Sequence, residues 1–205
     1  MIKLLGKIPT SFYLAVSGGM DSMVALDFFI SGKYKPIILN FDYGTEFGKT
    51  ARKFLRAKCK QSNLPLVVLN TGGKRFSEKD DQEEYWKNEK YLFFKKIPGV
   101  IVTAHTLTDS VEWWIYSSLL GESKLIPYKY GNIIRPFLLT DKKDIKELAL
   151  SKNIEYLNEP PIKNNRSIIR KKILPQANII NPQIFDLIKS KIELEYKTHE
   201  KQCNS

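Results

Sequence analysis

The stretch that most constrains this chain is Phe12-Tyr13-Leu14-Ala15-Val16-Ser17-Gly18-Gly19-Met20-Asp21-Ser22. Its first five residues are apolar and read as a buried strand, which Ser17-Gly18-Gly19 breaks. From Met20 onward Val24, Ala25, Phe28 and Phe29 recur at helical spacing, so a helix starts there. Strand, glycine turn and helix start together make an anion site. The backbone N–H groups of the turn and of the first helical turn have no internal partners and point at one spot. Gly18 and Gly19 permit dihedrals closed to other residues and let an anion approach the main chain. Ser17 and Ser22 add hydroxyl donors. Asp21 is the odd member, because a carboxylate beside an anion hole is repelled unless a divalent cation lies between them. The loop therefore points to a nucleotide polyphosphate with its Mg²⁺.

The loop is not a Walker sequence and not the GxGxxG dinucleotide turn. Ser17-Gly18-Gly19-Met20-Asp21-Ser22 has the form SGGxDS and resembles the signature of the PP-loop ATP pyrophosphatases. A plain glycine turn is the alternative, and six matching positions in the right strand–helix setting favour the signature. The resemblance implies an adenine nucleotide alpha hydrolase-like, Rossmann-like α/β domain. It also implies ATP contacts at Ala15, Ser17, Gly18, Gly19, Asp21 and Ser22, with Asp21 as a Mg²⁺ ligand.

Composition narrows the partners. A chain of 205 residues with 42% hydrophobic content can bury a core of its own. No apolar run approaches a membrane span, and the N-terminal apolar segment is too short for a secretory signal. Two cysteines, Cys59 and Cys203, argue against a disulfide framework, and a reducing cytoplasm is the expected location. The formal charge is +11, which favours a polyanionic partner. Lys49, Arg52, Lys53, Arg56, Lys58, Lys60, Lys74 and Arg75 form one acid-free run. Lys163, Arg166, Arg170, Lys171 and Lys172 form another. Such runs are often only solvated faces, but two of them on so basic a chain point to nucleic acid.

Strand and helix alternate through the first 120 residues, which predicts a parallel sheet with helices on both faces. Strands are expected at 12–16, 35–42, 64–69 and 100–104, with a short extended piece at 133–137. Helices are expected from Met20 and over 49–62, 83–96 and 109–120, with Thr108 or Asp109 as the cap of the last. The polar stretch 74–88 reads as a mobile loop leading into a helix. Further helices follow Thr140 and Pro182, so we divide the chain into a 1–135 nucleotide-binding core and a 136–205 helical extension.

A second constellation, Thr103-Ala104-His105-Thr106-Leu107-Thr108-Asp109-Ser110-Val111-Glu112, sits on the same sheet edge as the glycine loop. Asp109 and Glu112 share one helix face. Such a pair can hold Mg²⁺, orient an ammonium or take a proton from an amine; it can equally serve only to cap the helix and oppose its dipole. This stretch resembles the AHxxDDxxET signature of tRNA-modifying PP-loop enzymes, especially the tRNA(Ile) lysidine synthetase family. Asp42-Tyr43-Gly44, Lys87-Asn88-Glu89-Lys90-Tyr91 and Arg135-Pro136-Phe137-Leu138 resemble that family's DHG, RxxRY and RPLL segments. Arg166-Ser167-Ile168-Ile169-Arg170-Lys171-Lys172-Ile173-Leu174-Pro175 resembles its RNxIRxxxLP segment. Departures are Thr108 for an acid, Trp113 for a threonine, Tyr43 for a histidine and Ser167 for an asparagine, and the chain ends where the family's C-terminal domains would begin.

The resemblance implies adenylation of a wobble cytidine in a CAU-anticodon isoleucine tRNA, then attack by free lysine. Asp21 and Asp109 would share Mg²⁺, Asp42 and His105 would contact ATP, and Asp109 and Glu112 would receive the amine. Lys87 or Lys90 would neutralise the α-phosphate, and Arg135, Arg166, Arg170, Lys171 and Lys172 would contact RNA. Two other readings stand beside this one. A tRNA thiolase would ordinarily need a CxxC pair, absent here, and a degenerate ATP- or RNA-binding module is suggested by Thr108. The oligomeric state is open between monomer and homodimer.

Overall fold

The computed structural model describes residues 1–70, 82–158 and 165–203. Expectations for Lys74, Arg75, Lys163 and the first part of the 74–88 loop lie outside the described residues. Five strands run parallel: β1 (Tyr13–Ala15), β2 (Ile37–Asp42), β3 (Leu66–Asn70), β4 (Ile101–Val102) and, after a two-residue strand β5 (Lys129–Tyr130), β6 (Ile133–Ile134). The sheet order is β3-β2-β1-β4-β6-β5, and β5 pairs antiparallel with β6. The expected parallel sheet thus gains one antiparallel edge strand. Two residues are too few to show an alternation in the sequence.

The pleat assigns the faces. Leu14, Ile38, Val102 and Ile134 point one way, into a cluster with Met23, Ala25, Leu26 and Phe29 of α1 (Met20–Ser31) and Leu55 and Cys59 of α2 (Glu46–Gln61). Tyr13, Ala15, Leu39, Ile101 and Ile133 point the other way, against Tyr91 and Phe94 of α3 (Gln82–Lys96). Alternate residues of each strand therefore serve opposite layers, as period 2 requires. Fully buried Phe29, Leu14 and Ile38 each contribute about 1.5–3 kcal/mol of burial. Cys59 lies in this core, as its place on the apolar stripe of α2 predicts.

The helix ends follow local chemistry. The Thr45 hydroxyl accepts from Gly48 N at 3.0 Å to cap α2, whose last turn carries Lys58 and Lys60 opposite the helix dipole. In α4 (Leu107–Leu119) the cap is Thr106 rather than the expected Thr108 or Asp109. Thr106 and Asp109 form a reciprocal capping box.

Beyond β6 a short 3-10 turn (Pro136–Leu139) leads to α5 (Lys142–Ser151), which packs Ile145 and Ala149 on Val24 of α1. Then come α6 (Asn165–Ile168), a π-helical turn (Ile169–Ile173), α7 (Leu174–Ile180) and α8 (Ile184–Cys203). Pro175 cannot donate to the carbonyl four residues back, and the chain widens just before it. Ile169, Leu174, Ile184, Ile188 and Ile192 share one core with Leu107, Val111 and Ile115 of α4, so the helical extension is packed onto the α/β layers. Among the described residues no helix is long and apolar enough to cross a membrane.

Candidate functional site

The strand order reverses between β1 and β4, and in open α/β sheets ligands bind at the carboxyl edge of that switch point. An open cleft of about 640 Å³ lies there. Ala15, Ser17, Gly19, Asp21 and Ser22 line it from the glycine loop, and His105 and Asp109 line it from the β4–α4 connection. The two expected constellations therefore meet in one cavity.

The loop is held by its own hydroxyls. Ser17 N donates to Ser22 Oγ at 3.2 Å, Gly19 N donates to Ser17 Oγ at 3.2 Å, and Ser22 Oγ donates to Gly19 O at 2.9 Å. Gly18 takes φ +90°, which favours glycine, although a side-chain carbon there would meet only ordinary contacts. Its carbonyl accepts from Leu157 N at 2.9 Å. The cap position of α1 is Gly19, with no side-chain hydrogen bond, so the helix start lacks an internal cap on the side of the cleft.

Asp21 carries the local tension. Burial pushes its carboxyl pKa up, against the opposing pull of Lys142, whose Nζ donates to Oδ2 at 2.9 Å. Oδ1 is buried without a partner. That atom suits a Mg²⁺ ion whose other oxygens come from a bound polyphosphate. Among the described residues no three His, Cys, Asp or Glu side chains converge on a metal position, so the ion would depend on the nucleotide.

Asp109 Oδ2 accepts from Thr106 N at 2.8 Å, which fixes its carboxylate at the mouth of α4. Burial opposes the Asp109 charge, but the Thr106 N–H and the Arg166 and Lys142 cations hold its pKa below the usual range. Glu112 is 1% exposed. Arg170 grips it with two bonds, Nε to Oε1 at 2.5 Å and Nη2 to Oε2 at 2.8 Å, the fork geometry that suits a carboxylate. Arg166 Nη2 stands 3.7 Å from both Asp109 and Glu112. The carboxylate pair is thus a cation site, filled by arginines of the basic segment. Burial pushes the His105 imidazole down to about 3, so it is neutral, and its Nδ1 lies 2.8 Å from Thr103 Oγ1.

Other expected site residues separate. Lys90 lines the first cleft, while Lys87 lines a second cleft of about 670 Å³ together with Trp113 and Arg166. His105 lines both. Asp42 is 1% exposed and works inside its turn. It accepts from Gly44 N at 2.9 Å and pairs with Arg52 at 3.0 Å, so it braces the connection to α2. Arg135 is 3% exposed and donates to Pro127 O at 2.8 Å and Tyr91 Oη at 3.2 Å. Lys171 and Lys172 are exposed on the π-helical turn.

Two residues missed in the sequence, Lys142 and Lys146, line the first cleft from α5. The available signal was a lysine directly after the Asp141 cap, where the positive end of the helix dipole disfavours a cation. Such a position is more readily explained by an anion in front of it.

Comparison with known proteins bears on the family and the fold. Residues 3–177 match the family described as the PP-loop domain. The tRNA(Ile)-lysidine synthase of Thermotoga maritima is 26% identical over 196 residues, covering 85% of this chain and 47% of that protein. The synthase of the same name from Streptococcus pyogenes is 30% identical over 189 residues, covering 83% and 42%. The chain therefore spans about half the length of the curated relatives it matches. Among solved structures, a U34-tRNA thiolase from Methanococcus maripaludis superposes with TM-score 0.73 at 11% identity, covering 91% of this chain and 72% of that one. At that identity the likeness shows the fold alone.

Proposed function

The chain belongs to the PP-loop domain family, and on that footing we propose that it acts as a tRNA(Ile)-lysidine synthetase on a CAU-anticodon tRNA, with ATP and free lysine as co-substrates. The observation that carries this reading is the meeting, in one cleft, of a phosphate-type helix start with a carboxylate that lies under two arginines. An anion site and a cation site a few side chains apart fit a reaction that joins an amine to a phosphate-activated centre.

In the first step the C2 carbonyl oxygen of the wobble cytidine attacks the α-phosphorus of ATP. The bond to the β-phosphate breaks, and pyrophosphate leaves held by the 17–22 loop and Lys142. Mg²⁺ on Asp21 would offset phosphate charge; Lys90 faces the same cleft and serves the α-phosphate. In the second step the lysine ε-amine gives a proton to Asp109 or Glu112 and attacks C2, and AMP departs with the former carbonyl oxygen. Before this, Arg166 and Arg170 exchange the carboxylates for RNA phosphates, which opens the amine site only when RNA is bound. Lys171 and Lys172 extend that phosphate grip.

The thiolase reading loses support from Cys59, which is buried in the core with its thiol pushed up by burial, away from the cleft. The test is the fate of ATP. With CAU-anticodon tRNA(Ile) and Mg²⁺, labelled pyrophosphate exchanges into ATP before lysine is added, and lysine then releases AMP. Exchange without any RNA, or release of ADP, would overturn the assignment.

A further inference from the structure

The second cleft has a composition unlike the first. Among the described residues its lining includes Lys87, Lys95, Lys124, Arg135 and Arg166 and no acid. Between these cations stand the rings of Trp113, Tyr91 and Tyr130. Positive charge interleaved with aromatic faces is the chemistry that binds single-stranded nucleic acid, charge for the backbone and rings for the bases.

Two further facts point to an absent ligand. Arg135 Nε and Arg166 Nε are buried donors with no hydrogen-bond partner, and both residues line this cleft. An unsatisfied buried donor costs about 1–3 kcal/mol, which an arriving acceptor removes. A phosphate oxygen or a base carbonyl is such an acceptor. The other fact is Trp113 itself. It sits one position beyond Glu112 on α4 and is only half-buried, with Lys87 Nζ 5.5 Å from its ring centroid. A large ring left partly open beneath a lysine is an available stacking surface.

We infer that the second cleft takes an unpaired RNA nucleotide whose base stacks on Trp113, next to the nucleotide that enters the first cleft past His105. This rests on the proposal that RNA is the substrate and adds where a neighbouring unpaired base is held. Lys87, assigned to the α-phosphate from the sequence, belongs to this cleft and contacts the RNA backbone. The buried guanidinium of Arg135 supports the cleft through Pro127 and Tyr91.

The test measures binding of the whole chain to a labelled CAU anticodon stem-loop and, as a control, to a blunt RNA duplex of equal length, at fixed salt. Trp113→Ala weakens stem-loop binding by roughly 5–150-fold, the loss of one base stack. Trp113→Phe keeps most of it, because stacking tolerates any ring. Neither change alters duplex binding or ATP binding, since Trp113 does not line the first cleft. Lys124→Gln, at an exposed position that tolerates change, weakens stem-loop binding and lowers its salt slope by roughly 0.7. Equal stem-loop affinity for Trp113→Ala and parent would overturn the inference, as would a parallel loss for the duplex. Stem-loop binding that depends on Trp113 without lysine incorporation keeps this site and removes the proposed reaction. Incorporation that is indifferent to Trp113 does the reverse.

Discussion

At the scale of single residues, the role proposed for Asp21 comes at a cost in stability. Its folded pKa lies above 3.8 because burial outweighs the help of Lys142. A carboxyl raised in this way stabilises the fold below pH 3.8 and loses that contribution as pH climbs through the folded value. Asp21→Asn is therefore expected to melt higher than the parent at neutral pH and to match it below pH 3.8, while ATP turnover falls by roughly 10²–10³-fold. Melting curves across pH with turnover at neutral pH check both halves. His105 behaves oppositely. With its pKa pushed to about 3, its ring signals should remain those of neutral imidazole from about pH 8 to about pH 5, and an NMR titration near 6.5 would contradict the burial argument. Residue identity revealed much of this site, because Ser17, Asp21 and Asp109 carry their meaning in local spacing. Asp42 and Lys142 did not. Whether a carboxylate braces its own turn or meets a ligand depends on Arg52 ten residues on, and the value of Lys142 depends on a contact 121 residues back.

At the scale of elements, α4 and the π-helical turn hold the chemistry together. Thr106 caps α4 and also fixes Asp109, so Thr106→Ala is expected to cost about 1 kcal/mol of stability and to lower activity further than that loss explains, with Thr106→Ser restoring both. Thermal melts beside lysine incorporation separate the two effects. Arg170 ties the basic segment to a glutamate whose side chain is 0% exposed. Arg170→Ala is expected to cost about 2 kcal/mol or more by urea unfolding, less than the loss of a wholly buried pair because Arg170 is half exposed. The Thr106-Leu107-Thr108-Asp109 box was present in the sequence but hidden by an equally plausible cap two residues later. The π-helical turn could be anticipated only from Pro175, and its consequence only from where α4 lies. Strands and helices of ordinary length were legible through the first 120 residues, since their periods differ; β5 was too short to have one, and α7, opening at Pro175, was not anticipated.

For the whole molecule, one fold brings an uncapped helix start, a carboxylate pair held by arginines and a cationic, aromatic cleft to neighbouring cavities, and the proposed reaction assigns them to phosphate, amine and RNA in turn. The α/β layers and the helical extension share cores, so the basic segment reaches the acids of α4 across packed structure. The most direct test is transfer of labelled lysine to CAU-anticodon tRNA(Ile) with ATP and Mg²⁺, run with the parent chain and with Glu112→Gln. Lysine joined covalently to the wobble cytidine is expected from the parent, with a loss of roughly 10²–10⁴-fold in the variant while RNA-dependent pyrophosphate exchange persists. No transfer by the parent together with no pyrophosphate exchange, or full transfer by Glu112→Gln, would contradict it.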